Sequence, residues 1–167
     1  MLRRYINVLG YDRSFLVYDE DDQLSVVKES IRQLNLSEQR YDGRDTQYFI
    51  KWYKSKLEPP TVYDLNMQKI IDCYQRVLRE SNAVDFDDLL SLPLRILKEF
   101  PQIRQWYLQN YTHLMVDEYQ DTNEIQYDLL KTLTGPQANV LVVGDEDQSI
   151  YKFRGARAEN IQHFLRD

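Results

Sequence analysis

The sequence predicts a mostly helical α/β protein, in which a helical part is followed by a strand–helix–strand unit. Apolar residues recur at helical spacing through much of the first hundred residues, as in Leu24, Val27, Ile31 and Leu34. Two apolar runs, 112–117 and 139–143, read instead as buried strands, and the segment 121–134 between them as a helix. Such a βαβ unit is expected to be right-handed, with parallel strands.

The elements before this unit follow from local signals. Residues 1–18 predict a short helix end and an extended piece at 14–18. Helices are then expected at 22–34 after a cap at Asp21 or Asp22, at 45–57 before Pro59-Pro60, from a Thr61 cap to about 81, from near Phe86, and from near Pro101. Gly135-Pro136 ends the helix of the βαβ unit, Asp121 is expected to cap it with Glu124, and a last helix is expected at 157–166.

Composition narrows the class of protein. The 167 residues suffice for one domain, or for a domain with a subdomain, and the net charge is −6. That charge argues against a strong nonspecific DNA-binding surface, although it leaves room for a local groove. Lys51, Lys54 and Lys56 form either a salt-sensitive contact or a solvated helix face. The single Cys73 fits a reducing cytosol, and the absence of an apolar run of about 20 residues argues against a membrane span. We therefore expect a cytoplasmic protein.

Carboxylates follow both predicted strands. The first strand runs into Asp117-Glu118-Tyr119-Gln120-Asp121, and the second runs into Gly144-Asp145-Glu146-Asp147-Gln148. Ligands of open α/β folds bind at the carboxyl ends of neighbouring parallel strands. A carboxylate there can hold Mg²⁺ through its waters, and the next can orient an attacking water. The pattern indicates a nucleotide-hydrolysing site.

The same residues closely resemble the UvrD/PcrA/Rep family of DNA helicases. Residues 117–123, Asp-Glu-Tyr-Gln-Asp-Thr-Asn, are similar to the Walker B motif of that family, and residues 144–156 are similar to its motif III. Asp85-Phe86-Asp87-Asp88-Leu89 is similar to a further family element. The resemblance implies a helical insertion subdomain over 1–84 and a partial RecA-like motor domain over 85–167, from a P-loop NTPase parallel sheet.

The resemblance also implies roles for individual residues. Asp117 would be the Mg²⁺ ligand, Glu118 the general base, and Gln148 the sensor of the ATP γ-phosphate. Tyr151, Phe153 and Arg154 would contact single-stranded DNA by stacking and by pairing with phosphate. Phe86 is either another strand-contacting aromatic or a helix residue buried against the βαβ unit.

The implied activity is ATP-dependent 3′→5′ translocation on single-stranded DNA and unwinding of duplex DNA, with Mg²⁺ and ATP as cofactors. The family resemblance leaves DNA repair, replication and recombination open. No G-x-x-x-x-G-K-[ST] loop occurs in the 167 residues, so we expect an internal fragment that is inactive alone. The alternatives are a non-catalytic module that binds DNA or a partner protein, and a metal-dependent nuclease using Asp117, Glu118, Asp145 and Asp147.

Two strands are too few for a stable open sheet. An isolated fragment is therefore expected to expose strand edges, through which it would self-associate.

Overall fold

The computed structural model describes residues 1–145, and it divides the chain into two compact units. The first unit is Met1–Leu92, and the second begins at Pro93. The described part is mostly helical with short parallel strands, as predicted. The predicted division into an insertion subdomain and a motor remnant after residue 84 stays a prediction.

The first unit consists of helices and one short pair of parallel strands. Its elements are α1 (Leu2–Tyr5), a 3₁₀ turn (Ile6–Leu9), β1 (Leu16–Val17), α2 (Glu20–Gln33), α3 (Gly43–Lys54), α4 (Leu65–Glu80) and β2 (Ala83–Val84). Strand β1 lies within the predicted extended piece and pairs in parallel with β2, which was not predicted. The core consists of apolar side chains from α2, α3, α4 and β2, including Val27, Ile31, Ile50, Ile70, Leu78 and Ala83.

Aspartates begin the three long helices of this unit. Asp19 precedes α2, Asp42 precedes α3 and Asp64 precedes α4, and each side chain accepts hydrogen bonds from backbone N–H groups two and three residues on. These bonds satisfy donors that a helix start leaves unpaired. The predicted caps at Asp21 or Asp22 and at Thr61 were therefore wrong, because neighbouring acidic or hydroxyl residues supply the same local signal.

The second unit contains the predicted βαβ arrangement. Helix α5 (Asp88–Glu99) spans the division between the units, and it is followed by α6 (Pro101–Asn110), β3 (His113–Val116), a 3₁₀ turn (Tyr119–Asp121), α7 (Glu124–Leu133) and β4 (Asn139–Val142). Strands β3 and β4 are parallel, with His113 opposite Asn139 and Val116 opposite Val142.

Helix α7 begins two residues later than its predicted cap requires. Asn123 is the cap: its side chain accepts from the Gln126 N–H, and the Gln126 side chain accepts from the Asn123 N–H. The prediction that Asp121 caps this helix was wrong, because Asp121 lies in the 3₁₀ turn that carries the chain from β3 to α7.

The β3–β4 pair is exposed on one face. Met115 is 77% exposed, and Leu141 and Val143 are each 56% exposed. Parallel sheets are normally covered on both faces.

Within residues 1–145, no helix has the length and apolar character needed to cross a membrane. The helix predicted at 157–166 lies outside the described residues.

Candidate functional site

The loops that follow β3 and β4 lie side by side. The Val143 N–H donates to the Val116 carbonyl at 2.8 Å, and the Tyr119 N–H donates to the Val143 carbonyl at 2.9 Å. The parallel ladder therefore continues past the ends of both strands. It fixes the backbone of the Asp117-Glu118 segment against the backbone of the second acidic loop.

Asp117 and Glu118 are exposed at the carboxyl end of β3. The Glu118 N–H donates to Asp117 Oδ1 at 2.9 Å, which orients the first carboxylate by the backbone of the second residue. Glu118 itself has φ 51° and ψ 42°, in the left-handed region. A residue with a Cβ adopts this conformation at a cost, and such strain is concentrated at functional sites.

Gln120 joins the two loops. Its side chain is buried, with 1% of the residue exposed, and its Nε2 donates to Glu118 Oε2 at 2.7 Å. Its Oε1 accepts from the Asp145 N–H at 3.0 Å. The sequence alone does not distinguish this glutamine, because its second partner lies 25 residues away and is a backbone group.

Gly144 makes the approach of the two loops possible. A Cβ at this position would lie 2.6 Å from Gln120 Oε1 and 3.3 Å from the backbone nitrogens of Tyr119 and Gln120. The first distance is shorter than a van der Waals contact allows. A side chain at residue 144 would therefore push the Gln120 amide away.

A cleft of about 320 Å³ opens beside the first loop. It is lined on one side by Asp117, Glu118 and Asp121, and on the other by α7 residues that include Gln126 and Tyr127. Asp121 Oδ1 is buried there without a hydrogen-bond partner among the described residues. The cleft thus brings the predicted site residues Asp117 and Glu118 together with Asp121 on one concave surface.

The side chains at the end of β3 fit Mg²⁺ bound through a single carboxylate. Among residues 1–145, no group of three or more His, Cys, Asp and Glu side chains is placed to hold a metal ion. Mg²⁺ in nucleotide sites is commonly held by one or two carboxylates together with substrate phosphates and waters. Asp117 fits that requirement, since it is an exposed carboxylate at the strand end.

Four predicted site residues lie outside the described part of the chain. They are the predicted sensor Gln148 and the predicted DNA-contacting residues Tyr151, Phe153 and Arg154. Their roles stay predictions, as do those of Asp117, Glu118 and Phe86.

The family follows from comparison with known proteins. The family model of the UvrD/REP helicase N-terminal domain matches residues 1–167. The chain belongs to this family. It is 37% identical over 175 residues to the ATP-dependent DNA helicase PcrA of Bacillus subtilis, which covers all of this chain and 24% of that protein.

Two further relatives give the same proportion. DNA helicase II of Haemophilus influenzae is 37% identical over 174 residues, covering 100% of this chain and 24% of the relative. ATP-dependent DNA helicase UvrD1 of Mycobacterium tuberculosis is 39% identical over 176 residues, covering 95% of this chain and 23% of the relative. The chain thus spans about a quarter of the length of the curated relatives it matches.

In the first unit of this UvrD/REP-family chain, Phe86 is 55% exposed. The residues beside it are buried: Asp85 is 1% exposed and Asp88 is 3% exposed. The Asp88 N–H donates to Asp85 Oδ1 at 2.9 Å, and the Asp85 N–H donates to Asp88 Oδ2 at 3.2 Å. This reciprocal pairing turns the chain into α5 and leaves the ring between the two aspartates on the surface.

Lys54 neutralises part of this buried charge. Its ammonium lies 2.6 Å from Asp85 Oδ2 and 2.8 Å from Asp88 Oδ1, and the Tyr74 hydroxyl donates to Asp85 Oδ2 at 2.9 Å. Burial works to lower the pKa of Lys54, but attraction to Asp88 and Asp85 outweighs it and raises that pKa. Burial, reinforced by Asp85, raises the pKa of Tyr74.

The acids of this cluster outnumber its cation. Burial raises the pKa of Asp88, against the attraction of Lys54, and raises the pKa of Asp87 to about 6 with a further contribution from Asp85. One ammonium among three carboxylates leaves an excess of negative charge, so protonation of one acid is favoured there.

Each of the three lysines at the end of α3 and just after it has a partner. Lys51 pairs with Glu20 at 2.6 Å, Lys54 is buried in the cluster, and Lys56 lies over the Trp52 ring at 5.6 Å from its centre. Neither earlier interpretation fits Lys54, which is neither part of a solvated face nor available to DNA phosphates. The sequence missed this because its partners lie 31 residues away or more.

Proposed function

We propose that the chain is part of an ATP-dependent DNA helicase, and that the loop after β3 belongs to its ATP-hydrolysing site. The observation that carries this proposal is the placement of Asp117 and Glu118 at the carboxyl end of β3, beside the loop after β4, in a chain of the UvrD/REP family. The relatives named as ATP-dependent DNA helicases support the same assignment.

Within this proposal the residues divide the work. Asp117 would hold Mg²⁺, which would supply positive charge that stabilises the developing negative charge of phosphoryl transfer. Glu118 accepts a hydrogen bond from the attacking water and orients it. Gln148 reads the presence of the γ-phosphate, while Tyr151, Phe153, Arg154 and Phe86 contact single-stranded DNA. The βαβ unit is then a remnant of a RecA-like sheet.

The rest of the machinery belongs to the longer protein in this proposal. A phosphate-binding loop needs several backbone N–H groups and a lysine, and the 167 residues contain no such sequence. The exposed apolar face of the β3–β4 pair is consistent with further layers that cover it. The segment alone therefore supplies only part of the site, and phosphoryl transfer depends on positioning by all of it.

The deciding test is Glu118→Gln in the whole protein. The amide keeps the shape of the side chain but cannot take a proton, so ATP binding should persist while turnover falls by about 10²–10⁴-fold. Binding is measured with a fluorescent ATP analogue and turnover by phosphate release in the presence of single-stranded DNA. Unchanged turnover would remove Glu118 from this role.

A matched control is Glu99→Gln. Glu99 makes an exposed ion pair with Arg95 on α5 at 2.7 Å, so the same chemical change occurs away from the site. We expect turnover to be unchanged there. Movement from 3′ to 5′ is tested separately, with duplexes that carry a 3′ or a 5′ single-stranded tail; unwinding of the 5′-tailed duplex alone would contradict it.

The non-catalytic binding module is the second candidate, and the missing phosphate-binding loop motivates it. It predicts that the whole protein binds DNA without DNA-dependent ATP hydrolysis. The nuclease has less support, because Asp117, Glu118 and Asp145 form no metal-binding group among the described residues. Asp147, the fourth member of that predicted cluster, lies outside the described residues.

A further inference from the structure

The buried side-chain amide of Gln120 forms hydrogen bonds with both acidic loops, to Glu118 in the first and to Asp145 in the second. We propose that Gln120 is a positioning residue, which holds the Glu118 carboxylate in place and makes that place depend on the backbone of the loop after β4. The inference rests on the proposed role of Glu118 in ATP hydrolysis.

The partners of Gln120 allow only one orientation of its amide. Nε2 donates to a carboxylate oxygen of Glu118 at 2.7 Å, and Oε1 accepts from the Asp145 N–H at 3.0 Å. Exchange of the two ends would place an oxygen against a carboxylate and a donor against a donor. Because both ends of this buried amide are hydrogen-bonded, its Nε2 is a donor in a fixed position for the Glu118 carboxylate.

The Glu118 side chain needs a fixed partner to hold it in one conformation. It is exposed, it lies on a short turn, and a glutamate side chain has many rotamers when nothing selects one. A hydrogen bond to a charged acceptor is stronger than one between neutral groups, and here its donor is held by the protein interior. The bond therefore selects one position for the carboxylate that is to orient water.

The contact between Gln120 and the loop after β4 is also sterically constrained. The space for Gln120 Oε1 exists because residue 144 has no Cβ, which would come within 2.6 Å of that oxygen. Among the described glycines, only Gly10 has a positive φ, so Gly144 is required for its small size and not for a left-handed backbone. A shift of this loop moves the Asp145 N–H, and with it the amide that holds Glu118.

Two substitutions in the whole protein separate the two ends of the amide. Gln120→Glu keeps an oxygen for the Asp145 N–H but replaces the donor to Glu118 with a second carboxylate. Gln120→Met keeps the length of the side chain and removes both bonds. We expect kcat for ATP hydrolysis to fall by about 10–100-fold in both, with KM for ATP within about threefold of the parent, because misplacement by about 1 Å costs on this order.

Gly144→Ala tests the same link from the other loop, without changing a polar group. It should lower kcat in the same direction, since the new methyl displaces Gln120 Oε1. Gln102→Met, on the exposed surface of α6, is the matched control and should leave kcat unchanged. Thermal unfolding and binding of an ATP analogue establish that each variant is folded.

A double-mutant cycle distinguishes positioning from a general structural effect. In a Glu118→Gln background, Gln120→Met should cause little further loss in single-turnover hydrolysis, because the residue acts through Glu118. A further loss of full size, or parent kcat in folded Gln120→Glu, Gln120→Met and Gly144→Ala variants, would overturn the inference alone. No ATP hydrolysis by the whole protein with native Gln120 would overturn the proposed function, and this inference with it.

Discussion

The loops after β2 and β3 place carboxylates just beyond a short parallel strand, yet the two loops lie in opposite environments. Asp85 and Asp88 are buried around Lys54, whereas Asp117 and Glu118 are exposed beside a cleft. In the first loop the oxygens are used by the protein: they accept from Lys54, from the Tyr74 hydroxyl and from backbone N–H groups.

The difference shows what turns an acidic loop into a candidate site. A buried charge must be paired inside the protein, and it then has little capacity left for a ligand. An exposed carboxylate that is oriented by the backbone, as Asp117 is, keeps capacity for a metal or a water. The comparison predicts that substitutions in the first loop change stability and that substitutions in the second change turnover.

Glu118→Gly should give the largest effect and the sharpest contrast. Turnover of the whole protein should fall by about 10²–10⁴-fold, because the group that orients water is removed. The free energy of unfolding should stay within about 1 kcal/mol, since relief of a left-handed backbone at φ 51° offsets the lost hydrogen bond from Gln120. Steady-state hydrolysis and urea denaturation measure the two quantities.

The control for backbone strain is Asn35→Gly, because Asn35 has a similar φ of 53° in the first unit. It should leave turnover unchanged. A Glu118→Gly variant that keeps its turnover but unfolds readily would reverse the comparison, since the second loop would then be structural.

Lys54→Met should give the largest loss of stability. It leaves Asp85 and Asp88 buried without their cation, and breaking a buried pair costs about 3–5 kcal/mol. Lys51→Met is the matched control on the same helix, where an exposed pair with Glu20 contributes about 0–1 kcal/mol. Urea denaturation measures the free energy of unfolding of both variants. Equal losses in the two would mean that the buried cluster around Lys54 does not stabilise the protein more than the exposed pair does.

Asp87→Asn should give a smaller, pH-dependent gain. The pKa of Asp87 in the folded protein is about 6, above its ordinary value of 3.8, so the folded state binds the proton more tightly than the unfolded state. Stability from this group is therefore present at low pH and falls as the pH rises through about 4 to 6. The neutral amide avoids that loss, so the variant should be more stable at pH 7 by about 1–3 kcal/mol.

Denaturation at several pH values between about 3 and 8 measures this difference, since the range then includes values below the ordinary pKa of 3.8. The gain should shrink as the pH falls below about 6 and should vanish only below the ordinary pKa of 3.8, where the carboxyl is protonated in both the folded and the unfolded state. A gain that is constant over the range would assign the effect to packing and not to titration.

The sequence was most informative where the signal is local. Helical spacing predicted the long helices, and the apolar runs predicted β3 and β4 with the acids at their ends, because burial repeats every few residues along one element. Caps were misplaced where several suitable residues lie together, as at Asp19 to Asp22 and at Asn123. Strand β2 was missed because two residues carry no periodicity and its partner β1 lies far away in sequence.

The difference between local and long-range signals also explains which site residues could be predicted from the sequence. Asp117 and Glu118 were predicted because a strand delivers them directly, whereas Gln120 and Lys54 acquire their partners through folding. Gln120 reaches a backbone group 25 residues on, and Lys54 reaches a carboxylate 31 residues on. No window of sequence contains these pairs as a pattern. Phe86 is 55% exposed between the buried Asp85 and Asp88, and the choice between its two predicted roles stays a prediction.

Phe86→Ala gives the smallest expected effect on stability and the most direct test of the boundary between the two kinds of loop. The ring is 55% exposed between the buried Asp85 and Asp88, so its loss should change the free energy of unfolding by about 0.5 kcal/mol or less. If Phe86 stacks on a base, single-stranded DNA affinity of the whole protein should fall by about 1–3 kcal/mol. Tyr63→Ala, which removes another highly exposed ring of the same unit, controls for nonspecific effects. Loss of stability without loss of DNA affinity would place Phe86 with Asp85 and Asp88 as a structural residue, and the first loop would then have no functional member.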